Sequence, residues 1–244
     1  MTRILATIEA RMTSTRLPGK VLKPACGKPM LELMVERLRR VPSLDGIVIA
    51  TTVNATDDPV EALAHRLGVG IHRGSEEDVL RRVLDAALTH EIDVIVETTG
   101  DCPLIDPGIV EACIAEYKRA GVDYVANVLE RTYPVGMDTQ VFATDVLADV
   151  ARRTDDLADH EHVSLYIYRH PEIYSLKNVE APAALTRPDL ALTLDTPEDY
   201  VLITAVFEAL YPSDPTFTLA DILALLDARP DLARINEHVR RKHA

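Results

Sequence analysis

Short runs of apolar and β-branched residues alternate with amphipathic stretches through the first half of the chain. The runs have the composition of buried strands, and the stretches between them repeat apolar residues at helical spacing. The predicted strands are 3–8, 47–51, 93–97 and 123–128, and the predicted helices are 28–41, 58–68, 76–90 and 107–120. This alternation predicts a parallel sheet covered by helices.

The predicted helix starts carry residues that satisfy free backbone N–H groups. A capping residue, a proline in the first turn or an acid three positions on occurs in Asp58-Pro59-x-Glu61, Ser75-x-x-Asp78, Asp106-Pro107 and Thr196-Pro197-Glu198-Asp199. Such residues are the expected signals of a helix N-terminus. They support the α/β assignment independently of the apolar pattern.

The pattern loosens between residues 129 and 190. The segment 133–136 has the composition of a turn, and it leads into a predicted strand at 137–142, a helix near 145–153 and a strand around 173–179. We interpret this region as an elaboration on the sheet.

Charge is distributed unevenly along the 244 residues, 47% of which are hydrophobic and 27% charged. Residues 1–40 carry nine basic against three acidic residues, a net charge of +6, whereas the rest of the chain carries 17 against 36, a net charge of −19. A protein this acidic repels a polyanion over most of its surface, so a broad nucleic-acid-binding face is not expected. A small anion such as a nucleoside triphosphate needs only one cationic pocket.

Other classes are disfavoured by what the chain lacks. No apolar stretch approaches the roughly 20 residues of a transmembrane helix, and the N-terminus has no signal-peptide pattern, so we expect a cytoplasmic protein without membrane contact. The three cysteines are widely spaced without a C-x-x-C pair, which indicates neither a disulfide framework nor a cysteine zinc site.

Three segments with candidate chemistry follow predicted strands. The loop 10–20 follows the first strand, Asp101 follows the strand 93–97 after Thr98-Thr99-Gly100, and Asp195 follows the apolar segment 190–194. Ligands of open α/β sheets bind at the carboxyl ends of strands. Cations that bind a triphosphate and carboxylates that hold Mg²⁺ are the combination that nucleotidyl transfer needs.

Each aspartate also has a structural interpretation. Asp101 stands where a turn residue before Pro103 is expected. Asp195 stands where the capping residue of the helix at Pro197 is expected. At the second position, Thr196-x-x-Asp199 already forms a capping box, which leaves Asp195 free for a metal. The loop 10–20 contains neither G-x-G-x-x-G nor G-x-x-x-x-G-K-[ST], so a dinucleotide fold and a P-loop are disfavoured.

Three motifs occur in order between residues 3 and 210. They are Ala10-Arg11-x-x-Ser14-x-Arg16-Leu17-Pro18-Gly19-Lys20 with Gly27-Lys28-Pro29-Met30, then Gly100-Asp101-x-Pro103-Leu104-Ile105, then Asp195-Thr196-Pro197-Glu198-Asp199. Together they resemble the signature of the CMP-sugar synthetases, above all the 3-deoxy-manno-octulosonate cytidylyltransferases. The segments GDCPLIDP, YPVGMD and EHVSLYIY are most similar to the spore coat polysaccharide biosynthesis protein F-like branch.

The resemblance implies a three-layer, Rossmann-like nucleotide-diphospho-sugar transferase fold with a mainly parallel sheet. The chain would be a single domain, 1–244, in which 129–190 is an acceptor-binding and dimerisation elaboration. A homodimer is therefore expected.

The resemblance also implies site residues. Arg11, Ser14, Arg16 and Lys20 would bind the triphosphate, and Asp101 and Asp195 would hold Mg²⁺, with Arg16, Lys20 and both aspartates catalytic. Further nucleotide-binding positions are Ala10, Ser75, Thr99 and Gly100. Thr99 replaces the glutamine of the octulosonate enzymes and the segment near Ser75 is only loosely similar, so CTP is implied while other nucleoside triphosphates stay open.

Acceptor recognition is predicted at five positions. Asp138 and Gln140 share one face of the predicted strand 137–142, and Tyr133 precedes them, although an exposed strand face explains the first two equally well. The resemblance adds Glu161 and His162. A zinc site in 159–162 is disfavoured, because His160 and His162 would point about 200° apart on a helix.

The predicted function is therefore Mg²⁺-dependent transfer of CMP from CTP to a small anionic, sugar-like acceptor, with release of pyrophosphate, for surface polysaccharide or glycoconjugate synthesis. Alternatives are another nucleotide, a phosphorylated or phosphonate acceptor, a glycosyltransferase that uses a nucleotide sugar, and a nucleotide-binding regulator. The glycosyltransferase is disfavoured because an Asp-x-Asp motif is missing at 101–103.

Overall fold

The computed structural model describes residues 2–240, which form a seven-stranded sheet, a two-stranded hairpin and flanking helices. The strands are β1 (Ile4–Glu9), β2 (Pro24–Ala25), β3 (Lys28–Pro29), β4 (Gly46–Thr52), β5 (Gly70–Gly74), β6 (Val94–Thr99), β7 (Tyr124–Ala126), β8 (Gln140–Ala143) and β9 (Leu176–Asn178). The helices are α1 (Met30–Leu38), α2 (Asp58–Leu67), α3 (Val79–Thr89), α4 (Pro107–Ala120), α5 (Thr144–Arg153), α6 (Leu157–Glu161), α7 (Leu165–Arg169), α8 (Pro197–Leu210), α9 (Leu219–Ala228) and α10 (Pro230–Ala233). Single 3-10 turns lie at Lys20–Leu22, Ala55–Asp57 and Ala183–Leu185.

The large sheet has the order β5-β4-β1-β6-β8-β7-β9. Its pairs are parallel except those that β8 makes with β6 and β7. The mainly parallel α/β sheet predicted from the sequence is therefore confirmed. The carboxyl ends of β1 and β6, the two central strands, lie side by side, because Glu9 is opposite Thr99.

Alternating side chains of the sheet build two apolar clusters, one on each face. Ile4, Ala6 and Ile8 of β1 pack with α1, α2 and α4, whereas Leu5 faces α3, α5 and α7. On that second face the apolar pattern ends before the strands do, since Thr7 and Glu9 follow Leu5 at the same alternation. The second face is thus apolar at one end and polar at the carboxyl end.

A third apolar cluster lies beside the sheet. Residues of α8 and α9 pack there against α1, and Leu192, Leu194 and Met137 fill the space between them. This cluster fixes the segment before Asp195 relative to the sheet. None of the helices within residues 2–240 is long and apolar enough to span a bilayer.

One predicted strand is shorter than expected, and one segment expected to be a strand does not join the sheet. The predicted strand 137–142 is confined to β8, and the segment 190–194 forms only one isolated bridge, between Val135 and Ala191. The segment 190–194 pairs instead with the turn before β8: Val135 N donates to the Leu190 carbonyl at 2.9 Å, and Leu192 N donates to the Val135 carbonyl at 2.7 Å. An extended apolar segment can be held by a turn as well as by a neighbouring strand.

The predicted helix starts are largely confirmed. Asp106 caps α4 through Gly108 N at 2.7 Å, and Thr196 and Asp199 form the capping box of α8. Helix α3 begins after Asp78, which accepts from Arg81 N at 2.9 Å. At α2, Asp57 stands at the capping position but makes no side-chain cap, because its carboxylate instead accepts from Met12 N at 2.7 Å.

Candidate active site

The loop after β1 folds back on itself before it reaches Lys20. Gly19 N donates to the Met12 carbonyl at 2.9 Å, and Gly19 has φ of 70°. A left-handed backbone conformation there is readily adopted only by glycine. The 3-10 turn Lys20–Leu22 begins at once, so the lysine is held by a closed loop at the edge of the sheet.

Lys20 joins the two aspartates that the sequence separates. Its Nζ lies 3.0 Å from Asp101 Oδ2 and 2.9 Å from Asp195 Oδ1. Arg16 Nη2 lies 3.0 Å from the same oxygen of Asp195. The Lys20 side chain is only 13% exposed, and those of Asp195 and Asp101 are 16% and 26% exposed, so solvent screens these pairs only in part. The structure therefore places the cationic loop and the two carboxylates in contact.

Backbone contacts bring the aspartates together. Leu194 N donates to the Asp101 carbonyl at 2.7 Å, which ties the two segments directly. Gly136 packs against the backbone of residues 192–193, and a Cβ built on Gly136 would lie 2.7 Å from the backbone of Leu192. A side chain at that position is sterically excluded.

The carboxylate of Asp195 takes no part in capping α8. Asp199 Oδ2 accepts from Asp195 N at 3.0 Å and from Thr196 N at 2.9 Å, while Thr196 Oγ1 accepts from Asp199 N at 3.3 Å. Because the helix start is satisfied by these groups, the Asp195 carboxylate is directed to Lys20 and Arg16 instead.

Ala10 and Gly100 hold the two strand ends in contact. Gly100 N donates to the Glu9 carbonyl at 2.8 Å. A Cβ on Gly100 would lie 2.9 Å from that carbonyl oxygen and 3.1 Å from Ala10 Cβ. The two positions predicted as nucleotide-binding thus have a clear packing role: small residues let the strand ends approach.

The electrostatics of the pair keep both partners charged. Burial acts to raise the pKa of Asp101, but the Lys20 ammonium and a hydrogen bond from Thr99 Oγ1 at 2.5 Å lower it below its usual value. Burial likewise acts to lower the pKa of Lys20, and the two carboxylates outweigh it and raise the pKa. The Asp101 carboxyl is therefore ionised at neutral pH.

The donor set fits a magnesium ion that is shared with a phosphate ligand. Within residues 2–240 no three histidine, cysteine or acidic side chains cluster as a metal site. Mg²⁺ is usually bound through one or two carboxylates and completed by substrate phosphates and water. Asp101 and Asp195, which share one ammonium, supply that pair of carboxylates.

A cavity of about 750 Å³ opens beside these groups. Eight residues predicted for the site line it: Arg16, Thr99, Asp101, Asp138, Gln140, Glu161, His162 and Asp195. Some residues predicted for the nucleotide, Arg16 and Thr99, and most of those predicted for the acceptor therefore line one cavity.

Three predicted acceptor and nucleotide residues have other surroundings. Tyr133 is 4% exposed, belongs to the third apolar cluster and is not among the residues that line the cavity. Ser14 Oγ accepts from Leu17 N at 3.4 Å within the loop. Ser75 Oγ accepts from Asp78 N at 3.1 Å at the start of α3.

Arg11 lies against an acid of the β5–α3 connection. Its Nη1 is 2.9 Å from Glu76 Oε1, and Thr13 donates a short hydrogen bond to the same oxygen. Asn54 Nδ2 donates to the other oxygen of Glu76 at 2.5 Å. Glu76 therefore organises this part of the loop.

The two predicted polar residues of 137–142 line the cavity for different reasons. Gln140 lies in β8, where its Oε1 accepts from Ser164 Oγ at 2.5 Å and from the Tyr124 hydroxyl. Asp138 precedes the strand and forms a two-point ion pair with Arg131, at 2.7 and 2.9 Å. Strand alternation, the predicted basis for their common face, therefore does not apply to Asp138.

The histidines of 160–162 are separated in the structure. His160 Nδ1 lies 2.8 Å from Asp78 Oδ1, and this hydrogen bond, opposed by burial, raises the pKa of His160. His162 lines the cavity. His160 therefore links α6 to the start of α3, whereas His162 faces the cavity.

Sequence reasoning missed several cavity residues. Glu9, Glu97, Cys102, Arg131 and Ser164 all line the cavity. A signal for the first two was present, since an acid at the end of a buried apolar strand has no structural reason to be there. Arg131 and Ser164 lie in irregular sequence, where no periodicity indicates the direction of a side chain.

Comparison with known proteins agrees with this site. A family model described as Cytidylyltransferase matches residues 5–223. The spore coat polysaccharide biosynthesis protein SpsF of Bacillus subtilis is 37% identical over 243 residues, which cover 97% of this chain and 99% of that protein. A 3-deoxy-manno-octulosonate cytidylyltransferase of Geobacter metallireducens is 29% identical over 68% of this chain and 75% of its own length.

A solved structure extends the likeness to three dimensions. The structure of a cytidylyltransferase from Leptospira borgpetersenii superposes with a TM-score of 0.90 at 30% identity, and the match covers 100% of both chains. The agreement includes the sheet and the segments that carry Lys20, Asp101 and Asp195, since it covers all of the chain.

Proposed function

Because the chain belongs to the cytidylyltransferase family and is a nucleotidyltransferase, we propose that it transfers CMP from CTP to a sugar acid or related acceptor. Pyrophosphate is released, and the product serves surface polysaccharide or glycoconjugate synthesis. The observation that carries the proposal is the contact of one ammonium, Lys20, with Asp101 and Asp195 beside a cavity of about 750 Å³. The function of SpsF in polysaccharide synthesis, as its name states, supports the product class.

The triphosphate is bound by the cations of the loop 10–20, which we call the cradle: Arg11, Arg16 and Lys20. Each of them already contacts a carboxylate, so the bound triphosphate competes with Glu76, Asp195 and Asp101 for these cations. A triphosphate with about four negative charges competes well, since close charge pairs in a partly buried site are screened only weakly.

Mg²⁺, held by Asp101 and Asp195, would neutralise charge on the phosphate oxygens. Lys20 and Arg16 stabilise the negative charge that collects on the departing pyrophosphate. The acceptor hydroxyl attacks the α-phosphorus in line, the bond from that phosphorus to the β-phosphate oxygen breaks, and the hydroxyl proton passes to solvent.

The acceptor occupies the cavity next to the aspartates. Gln140, Glu161 and His162 line it and offer hydrogen bonds to sugar hydroxyls. Arg131 presents a guanidinium to the carboxylate of a sugar acid, which replaces Asp138 as its partner.

The test is pyrophosphate release, measured with each of four nucleoside triphosphates against a panel of ulosonic, phosphorylated and phosphonate acceptors. We expect CTP with a sugar acid to give turnover, and Asp101→Asn and Asp195→Asn to lose at least a hundredfold in kcat. Asp227→Asn is the matched control, because that carboxylate is 67% exposed and pairs with Arg187 at the surface.

Three results would contradict the proposal. Full activity in both aspartate variants would remove the metal role, and turnover only with another triphosphate would remove the base assignment. Sugar transfer from a preformed nucleotide sugar, without pyrophosphate release, would establish the glycosyltransferase instead.

Assembly as a homodimer through 129–190 stays a prediction from the family resemblance. Within that region Leu157 is 86% exposed. Light scattering checks the assembly: a mass near 54 kDa, twice the 27.0 kDa of the chain, is expected.

A further inference from the structure

Two acidic residues of β1 and β6 lie on one face of the sheet, where these strands border the cavity. In the parallel register Glu9 is opposite Thr99, and Glu97 is opposite Thr7. Side chains alternate along a strand, so Glu9 and Glu97 lie on the same face as diagonal neighbours. Both line the cavity. We call this pair the floor.

The floor acids have unsatisfied oxygens. Glu97 is 4% exposed, and its Oε2 has no hydrogen-bond partner within residues 2–240; the same holds for Glu9 Oε1. Arg82, on α3 above them, is 3% exposed, and its Nε also lacks a partner among the described residues. Buried polar atoms in proteins are nearly always hydrogen-bonded, so a cluster of unsatisfied ones beside a cavity points to a ligand.

The whole cavity has a surplus of acid. The described residues that line it include two guanidinium groups, and both are already paired, Arg16 with Asp195 and Arg131 with Asp138. Six carboxyl groups line it: Glu9, Glu97, Asp101, Asp138, Glu161 and Asp195. The cradle side faces triphosphate and metal, which accounts for the aspartates there, but nothing on that side compensates the floor.

The floor disfavours its own ionisation. Burial raises the pKa of Glu97 to about 8, and burial together with repulsion by Glu97 raises the pKa of Glu9 well above its usual range. Arg82 offsets only part of this effect at Glu9. A buried acid pair next to one arginine keeps one uncompensated charge, which either a proton or a bound cation removes.

We infer that Glu9 and Glu97 bind a protonated amino group of the acceptor, which makes the acceptor an amino sugar acid with a free amine. The inference rests on the proposed function, because it takes the cavity as the acceptor pocket. An ammonium supplies both the missing charge and up to three hydrogen-bond donors. A hydroxyl supplies one donor and no charge, and an acetylated nitrogen supplies no charge and needs more room.

The distances allow this placement. Asp101 follows Glu97 by four residue steps of about 3.3 Å each, so their Cα atoms are at most about 13 Å apart. A sugar acid of eight or nine carbons reaches from the metal side to the floor. The reacting hydroxyl then lies at one end of the acceptor and the amine toward the other.

The experiment compares three forms of one eight-carbon ulosonic acid: the parent with all its hydroxyls, the same acid with one hydroxyl replaced by a free amine, and the N-acetylated amine. Each position of amine substitution along the chain is tried. Binding is measured by calorimetry in the presence of a CTP analogue with a methylene bridge between the α and β phosphorus atoms, so that the result does not depend on turnover. The proteins are the wild type, Glu9→Gln, Glu97→Gln and the control Glu91→Gln, whose side chain is 86% exposed.

We expect at least one free amine to bind the wild type and Glu91→Gln about tenfold tighter than the parent and the acetylated form. In Glu97→Gln and Glu9→Gln this advantage falls to less than about threefold. Equal affinity for the CTP analogue in all four proteins shows that the variants are folded at the cradle.

Two outcomes overturn the inference: no free amine binds better than its parent, or the advantage survives both floor substitutions. An amine that binds as expected but releases no pyrophosphate with any nucleoside triphosphate leaves the floor assignment standing and overturns the proposed function. The two failures are thus distinguishable.

Discussion

The cradle and the floor both lie near the carboxyl ends of β1 and β6. They differ in how far their charged side chains are paired with opposite charges. In the cradle each cation has a carboxylate partner within 3.0 Å. On the floor burial raises the pKa of both Glu9 and Glu97, and Arg82 offsets this effect only in part, at Glu9. In the cradle, a polyanion can replace the carboxylate partners of the cations, and a metal ion can replace the cation partners of the carboxylates. On the floor, a bound cation can supply the positive charge that the carboxyls lack.

The difference follows from where each region comes in the chain. The cradle is a loop of long side chains that no strand pairing fixes, so Arg11, Arg16 and Lys20 reach carboxylate partners within the protein. The floor belongs to β1 and β6, whose backbones are fixed by pairing on both sides, so no backbone shift can carry Glu9 and Glu97 to new partners. Rigid placement makes an unsatisfied group persist.

The largest expected effect comes from removing the cation that the two aspartates share. Lys20→Met retains the length of the side chain but leaves Asp101 and Asp195 without their ammonium. We expect kcat for pyrophosphate release to fall by about a hundredfold to a thousandfold, the usual loss when one charge-stabilising group is removed from a transition state. Steady-state kinetics with saturating CTP and acceptor measures this loss.

Lys177→Met is the matched control for that experiment, because Lys177 is exposed on β9. The control should keep wild-type kcat. Retention of more than about a tenth of the activity by Lys20→Met would mean that pyrophosphate departure does not depend on the shared ammonium.

Most of the sheet could be predicted because its strands are short apolar runs with clear limits. The apolar runs between amphipathic stretches identified β1, β4 and β6. The capping residues Asp106 and Thr196 marked two helix starts. The proximity of Asp101 and Asp195 also followed from sequence, since both come after buried apolar segments. These inferences depend on local patterns that the fold leaves unchanged.

The segments that were predicted wrongly depend on tertiary partners. The strip 190–194 is extended and apolar like a strand, but the turn at Gly136 covers the backbone that a neighbouring strand would need. The Arg131 and Asp138 pair joins residues of an irregular loop, and no spacing rule predicts it. The acids of the floor were visible in the sequence, yet only the register of β1 and β6 shows that they share a face.

A pH profile of stability tests the floor directly. For a carboxyl whose folded pKa is raised from 4.5 to about 8, the folded state holds more protons than the unfolded state between those values. Stability is therefore highest below the unfolded pKa and decreases as pH rises toward 8, by at most about 1.4 kcal/mol per pH unit for one proton. Charged and titratable groups around Glu97 are Glu9 on β1, Tyr124 on β7 and Tyr168 on α7.

Glu97→Gln removes the titrating group without changing its shape. We expect urea denaturation between pH 5 and pH 8 to show a smaller fall in the free energy of unfolding than in the wild type, with the remainder due to Glu9. Glu91→Gln, at the surface, should keep the wild-type slope. An unchanged slope in Glu97→Gln would show that this carboxyl is ionised in the folded protein.

The smallest expected effect is a loss of stability at the start of α8, and it separates helix capping by Thr196 from catalysis by Asp195. Thr196→Ala removes the hydroxyl that accepts from Asp199 N at 3.3 Å, so α8 should lose about 1 kcal/mol of stability, the usual cost of a lost cap. Thr218→Ala, which breaks the other capping box, at α9, should cost about the same. Both should keep kcat within about twofold, because the Asp195 carboxylate contacts Lys20 and Arg16 rather than the helix start.

Asp195→Asn should behave in the reverse manner, with stability retained and turnover lost. If Thr196→Ala instead lost activity as Asp195→Asn does, the capping box would be setting the position of the carboxylate, and the separation of roles read from Thr196-x-x-Asp199 would not hold.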